Sequence, residues 1–233
     1  MPAPSLSPKD GESVDRVITT FTDFEAPTAA TIKTLREALA DKEKQALTDF
    51  LTGLLNRHGL AERVDSWLDS QDGNAMVTAT AIDINGFKEL NNTYGHDVGD
   101  RVLAIISHAI TQSNSDGMNV RLGGDEIAVV RKADGYKTGG EYTDDLKHEV
   151  RKLLDKLVDK FDAEGEVFDV DGVKISKSSI DAIRDVTFSA GTYVATVANL
   201  KKYGVWKILR VSDKRMYADK GIDDIDPDRT IIR

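Results

Sequence analysis

The chain of 233 residues contains no cysteine. That removes disulfides, zinc–thiolate sites and thiol nucleophiles from consideration. Positive charge is in short supply as well: the formal net charge is −9. Such a balance argues against non-specific binding to nucleic acid or to an anionic membrane, so neither partner is expected. It leaves room for a small phosphorylated ligand, because carboxylates hold phosphates through divalent cations. No apolar run approaches the length of a membrane span. The opening MPAPSLSPKDGES lacks the basic start and apolar stretch of a secretory signal, so a cytoplasmic location is expected. What remains is ordinary, with 40% hydrophobic, 30% charged and 6% aromatic residues. This suits a soluble globular protein of one domain with additions, or at most two small ones.

Residues 1–27 are rich in Pro, Ser, Thr and Asp and read as a flexible arm, with a short ordered piece at Val14 to Phe24. Residues 28–47 read as a helix carrying a narrow stripe of Ile32, Leu35 and Leu39. That stripe leaves two readings open: packing on its own domain, or pairing with a second copy. TDFLTGLLNRHG, from Thr48 to Gly59, reads as a turn and a helix start, and Glu62 to Leu68 continues the helix. AMVTATAIDI, from Ala75 to Ile84, alternates as a strand, with small residues on one face that predict close packing under helices.

A short helix from Asn85 to Tyr94, a loop at GHDVGD from Gly95 to Asp100, and a helix to about Gln112 follow. Met118 to Leu122 and Glu126 to Arg131 are two strands, joined at Gly123-Gly124. A long helix is predicted from about Asp144 to Asp162, and Glu166 to Ile175 is a small hairpin turned at Asp171-Gly172. Asp185 to Ala195 is a further strand, and Ala198 to Lys220 is mostly helical. The order β-α-α-β-β-α-β-β predicts an α+β fold, a mixed and mostly antiparallel central sheet flanked by helices.

Asp83 closes an otherwise apolar strand, and Asp125 and Glu126 stand beside the hairpin turn. Each acid alone reads most simply as a cap or an exposed charge. If the hairpin pairs beside the Asp83 strand, all three meet at one sheet edge. Like charges that close destabilise one another unless a cation sits among them. Magnesium suits three hard oxygens, and the pattern points to two-metal chemistry on a phosphate.

At this point the motifs converge on a known family. DFLTGLLNR, DINGFKELNNTYGHDVGDRVL, RLGGDEI, VTFSAG and SDKRMYADK resemble, in order and spacing, the signature segments of the GGDEF domain of diguanylate cyclases, over about residues 48 to 220. The resemblance implies a palm-like nucleotidyl cyclase fold. It also implies a reaction in which two domains face each other, each holding one GTP and Mg2+ (or Mn2+), two ions per active site, and yield cyclic di-GMP and pyrophosphate. By position, Asp83 and the Ile84 carbonyl would hold metal. Asp125 would hold metal and help deprotonate the attacking hydroxyl, and Glu126 would be a further metal contact. Lys88 would offset triphosphate charge in the transition state. The Phe87 and Lys88 amides would face phosphates at a helix N-terminus. Asn91 and Asp100 would read guanine. Gly123 and Gly124 would allow close phosphate approach, and Lys220 would be another phosphate contact.

Bland readings stand beside these: Asp100 as a helix cap three residues after Asp97, Asn91 as a turn residue, Lys88 and Lys220 as solvated charges, and His96 as a brace for its loop.

Departures from the family pattern qualify the implication. The inhibitory R-x-x-D product site falls on Asn114 and Gly117, so no such site is expected. Asn85 and Asn92 replace two common Asp residues. The family's C-terminal Arg falls on Asp224, which puts GTP affinity in question. No recognisable sensor domain precedes the cyclase segment.

The organisation expected is an arm (1–27), a helix serving as a dimerisation stalk (28–47) and a cyclase domain (48–233) with an inserted hairpin near 166–175. The leading expectation is a homodimeric diguanylate cyclase. The alternatives are a catalytically weak or inactive module that binds GTP or a protein partner, and a related cyclase with a mixed or adenine-containing product.

Overall fold

The apolar run that precedes Asp83 forms the central strand, β1 (Met76–Ile84), which is buried along nearly its whole length. The computed structural model describes residues 28–220 except 115, 136, 165–167 and 171–172. The arm, the Asp171-Gly172 turn and the tail with Asp224 lie outside the described residues. In chain order the elements are α1 (Ala29–Leu47), α2 (Arg57–Asp69), β1, α3 (Phe87–Tyr94), α4 (His96–Ser113), β2 (Met118–Gly123) and β3 (Glu126–Lys132). There follow α5 (Gly139–Glu164), β4 (Phe168–Val170), β5 (Val173–Ile175), α6 (Lys177–Arg184), β6 (Phe188–Thr196), α7 (Val197–Tyr203) and α8 (Val205–Asp219).

The chain divides into two compact units, one ending at Glu43 and one starting at Lys44. In the first, the Thr28 hydroxyl caps α1 by accepting from the Thr31 N–H, and Ile32, Leu35 and Leu39 are exposed.

In the second unit the main sheet has the order β2-β3-β1-β6. Every strand pair in it is antiparallel. The mostly antiparallel sheet flanked by helices that the element order predicts is therefore observed. Among the described residues the parallel component is a lone Leu55–Val120 bridge on the outer edge of β2. One sheet face, with Ile82, Ile84, Ile127 and Val129, packs against Ile106 of α4, Leu146 and Val150 of α5 and Ile180 and Ile183 of α6. The other face, with Val77, Ala79, Ala128 and Val130, packs against Leu60 and Val64 of α2, Leu200 of α7 and Ile208 and Leu209 of α8. Each buried Val, Leu or Ile among them contributes about 1.5–3 kcal/mol.

The small residues of β1 let α8 come close. The Ser212 hydroxyl of α8 donates to the Ala79 carbonyl at 2.7 Å. A Cβ on Gly191 of β6 would lie 2.2 Å from the Met216 nitrogen and 2.3 Å from the Ser212 carbonyl oxygen. α8 also protects the free edge of β6. Asp219 accepts from the Ala190 N–H at 3.2 Å, and Arg215 donates to the Thr192 carbonyl at 2.5 Å. Unpaired edge groups are otherwise sites of unwanted pairing.

Four further boundaries differ from expectation, each for a local reason. GHDVGD is not a loop: Gly95, at φ +86°, makes the whole turn, and α4 starts at His96. The long helix starts at Gly139, before Asp144, because Thr138 and Glu141 form a capping box that overrides two adjacent glycines. α6 was not anticipated. Its signal was Ser176, which caps the Ser179 N–H, followed by Ile180 and Ile183 at helical spacing. The C-terminal helical segment is two helices broken at Gly204, φ +80°.

The close approach of α8 gives a direct test. Gly191→Ala is expected to lower unfolding free energy by about 1–3 kcal/mol, the usual cost of overpacking. Denaturant titration measures it, and an unchanged midpoint would show that α8 does not bear on β6 as described.

Candidate active site

The hairpin that carries the acids is held from outside the sheet. Gly123 pairs with Glu126, so the two turn residues are Gly124 and Asp125 rather than Gly123 and Gly124. Gly124 takes φ +52°, the left-handed region that favours glycine. Arg121 clamps this turn by donating from Nε and Nη2 to the Gly124 carbonyl at 3.0 and 2.8 Å. Its Nη1 grips both oxygens of Asp49, at 3.0 and 3.1 Å. Asp49 in turn accepts from the Thr52 amide and hydroxyl. Burial opposes the Asp49 charge, yet the Thr52 and Arg121 contacts outweigh it and hold the carboxyl below its usual range. Arg57 adds a bond from Nε to the Leu122 carbonyl at 2.6 Å. The segment from Asp49 to Arg57 is thus a brace for the hairpin.

The expected meeting of acids occurs. Asp83 is directly opposite Glu126 in the antiparallel ladder of β1 and β3, so their side chains leave the same face of the sheet. Asp125 stands in the adjoining turn, half-buried like Glu126. Burial first, and the Asp83 charge second, raise the Asp125 carboxyl. Glu126 is pushed up to about 7 by burial and by the charges of Asp83, Asp213 and Asp125. Lys220 reaches this group with its Nζ 2.5 Å from Asp83 Oδ1. Among the described residues no three carboxylate or imidazole side chains form a ready-made metal cage. The donor set nevertheless suits a hard divalent ion, being three carboxylates whose mutual repulsion a cation relieves.

Beyond Asp83, Gly86, at φ +67°, turns the chain from β1 into α3, whose N-terminus has no side-chain cap. The Phe87 and Lys88 amides therefore open the helix free of side-chain competition, and the Lys88 side chain is exposed. Ile84 ends β1 opposite Phe188. Asn91 of α3 lies against Gly99 of α4, where a Cβ would come within 1.8 Å of Asn91 Oδ1. That oxygen is buried without a hydrogen-bond partner among the described residues. The exposed Asp100 follows Gly99 directly. It lies in the second turn of α4, whose N-cap is Gly95, so it does not cap the helix. His96 is the first residue of that helix and exposed. Asn85 lies beside the cluster, not in it: its amide donates to Thr187 Oγ1 and accepts from Ser189 Oγ.

The model of the family described as "Diguanylate cyclase, GGDEF domain" matches residues 46–172, more than half of the chain. The chain belongs to the GGDEF family. Its relatives include the diguanylate cyclase DgcP of Pseudomonas aeruginosa, 34% identical over 118 residues, a match covering 49% of this chain and 17% of DgcP. The response regulator PleD of Caulobacter vibrioides is 37% identical over 98 residues, covering 41% of this chain and 22% of PleD. The matched segment is thus well under half the length of either relative. In fold, the coiled coil and GGDEF domain of DgcB from Caulobacter crescentus, solved in complex with c-di-GMP, superposes with a TM-score of 0.57 at 19% identity, covering 90% of this chain and 95% of that one.

Two details of this GGDEF domain were not legible beforehand. Asn114 is buried and its amide donates to Asn119 Oδ1 at 2.7 Å, so it faces inward. Asp213, of the SDKRMYADK segment, is 4% exposed and belongs to the same electrostatic cluster. Burial chiefly raises its carboxyl to about 6, with Lys220 opposing and Asp83 adding to the shift.

Raised carboxyls favour the folded state when protonated, and that stability is lost as pH rises through the folded values. With divalent ions chelated, melting temperature is therefore expected to fall between about pH 5 and about pH 8, and less so in Glu126→Gln. Equal slopes in the two proteins would contradict the clustering of these acids.

Proposed function

We propose that this protein is a diguanylate cyclase that condenses two GTP into cyclic di-GMP and pyrophosphate, with two copies facing each other. The observation that carries the reading is the face-to-face placement of Asp83 and Glu126 beside the Asp125 turn, with Lys220 brought to them by α8. Diguanylate cyclases use a divalent metal, and Asp83, Asp125, Glu126 and the Ile84 carbonyl are the groups that would hold it here, two ions per site. Bound there, magnesium would neutralise phosphate charge and sharpen the electrophile.

The remaining roles belong to the chain. The uncapped start of α3 receives phosphate oxygens on the Phe87 and Lys88 amides, and the Lys88 and Lys220 ammonium groups add positive charge where the leaving pyrophosphate gains negative charge. Gly123 and Gly124 add no side chains beside the turn, so a phosphate approaches the backbone there. Asn91 and Asp100 orient guanine, the acid accepting from its N1 and N2 donors. Asp125, with its raised proton affinity, takes the proton of the 3′-hydroxyl. A new bond forms from that oxygen to the α-phosphorus of the facing GTP, and the bond to the bridging oxygen of pyrophosphate breaks. The same step in the opposite sense closes the ring.

GGDEF domains function as dimers. The exposed stripe of Ile32, Leu35 and Leu39, at 38, 61 and 61% exposure, supports α1 as the element that pairs two copies. Asp224, where the family has Arg, favours the second reading, a domain that binds GTP with weak turnover.

Purified protein with GTP and magnesium, its products identified by mass spectrometry, tests the reading. Cyclic di-GMP is expected from the wild type, with a loss of at least roughly a hundredfold in Asp125→Ala, the scale of removing a positioned catalytic base. GTP binding with no pyrophosphate released at high protein concentration would instead establish the binding module.

A further inference from the structure

Lys220 and Asp213 are seven residues apart at the end of α8, two helical turns, and so share the face that α8 presents to β1. Lys220 gives one ammonium hydrogen to Asp83. Its neighbour Asp219 is fixed, because its carboxylate takes both the Ala190 N–H and the Lys147 ammonium. The backbone at this point is therefore anchored, and a change of rotamer along the four-carbon side chain of Lys220 would move its ammonium about that fixed point. Tyr217 flanks the path, its ring centroid 5.7 Å from Nζ.

Asp213 is the unexplained group. It is 4% exposed, and its Oδ1 is buried with no hydrogen-bond partner among the described residues. A buried carboxylate oxygen without a donor is costly, so structures rarely keep one that nothing uses. The Lys220 ammonium, whose charge acts on it, is already engaged by Asp83. A divalent ion on Asp83 competes with that ammonium for the same oxygen, and two cations cannot share it without strong repulsion.

We propose that Asp213 is a positioning residue for Lys220: a divalent ion on Asp83 displaces the ammonium, and the Asp213 carboxylate receives it. Lys220 then stays beside the nucleotide phosphates. An ammonium has three donors, enough for Asp213 and a phosphate oxygen together. The inference rests on Asp83 being a metal ligand, as in the function proposed above.

The test is Mn2+ affinity of the full chain without nucleotide, read by electron paramagnetic resonance. Lys220→Met removes the competitor and is expected to bind Mn2+ roughly fivefold more tightly, the scale of releasing one partly exposed ion pair. Asp213→Asn removes the alternative station and is expected to weaken Mn2+ binding. In the Lys220→Met background the same change is expected to have far less effect, and Asp213→Glu to restore wild-type behaviour. An equal loss in both backgrounds would overturn the proposal, since Asp213 would then act as a plain charge and not through Lys220. So would a Lys220→Met protein with unchanged affinity. Thermal unfolding verifies that each variant folds; Asp213→Ser takes the place of an unfolded Asp213→Asn. An Asp83→Asn control separates the two layers. If it leaves Mn2+ binding intact, the metal site itself is misassigned and the proposal falls with it. If it abolishes binding while the coupling is zero, only the role of Asp213 falls.

Discussion

Mutual repulsion among carboxylates governs this molecule. Asp83 and Glu126 are opposed across two central strands, Asp125 adjoins them, and Asp213 is buried nearby on α8. Left alone, such a group would loosen the sheet end or take up protons. Several features hold it in place. Small residues on β1 and Gly191 on β6 let α8 settle closely, and that approach brings Lys220 to Asp83. The result is a site organised to attract positive charge, in a chain that is acidic overall.

The second constraint is on the hairpin tip. A hairpin tip with two adjacent glycines, one in the strand and one in the turn, is conformationally loose unless something outside it fixes the backbone. Arg121 does so through the Gly124 carbonyl, and Asp49 fixes Arg121. The bridge from Leu55 to β2 and the bond from Arg57 to the Leu122 carbonyl extend this brace along the strand. The DFLTGLLNR and RLGGDEI segments are thus one mechanical unit, although more than sixty residues separate them. Any site built on this tip would gain rigidity from the Asp49 to Arg57 segment.

Much of the fold could be read from periodicity. Val77, Ala79 and Ala81 against Thr78, Thr80 and Ile82 marked a buried strand, and Val102, Ile105, Ile106 and Ala109 marked α4. The failures came at local caps and positive-φ glycines, and at close tertiary approaches. Gly139 looks like a helix breaker, but a Cβ there would lie 2.3 Å from the Thr192 carbonyl, so the glycine is what lets α5 start beside β6. The residues of α6 are few and mostly polar, so the Ser176 cap and the Ile180 and Ile183 pair are a short signal that their burial makes plain. At the site, motif positions picked out Asp83, Asp125, Glu126 and Lys220. They did not expose Asp213, because its meaning depends on helix packing that spacing alone does not encode. Nor did they show that Asp49 and Arg121 form an ion pair 72 residues apart.

The most direct test of this account is to locate the ion. Crystals grown with Mn2+ and an unreactive GTP analogue, measured at the manganese absorption edge, would show where the metal lies. The account predicts anomalous density bounded by the carboxylates of Asp83 and of Asp125 or Glu126. Bound analogue with manganese elsewhere, or with the Lys220 ammonium still on Asp83 and no manganese beside it, would contradict the assignment of these acids as the metal site.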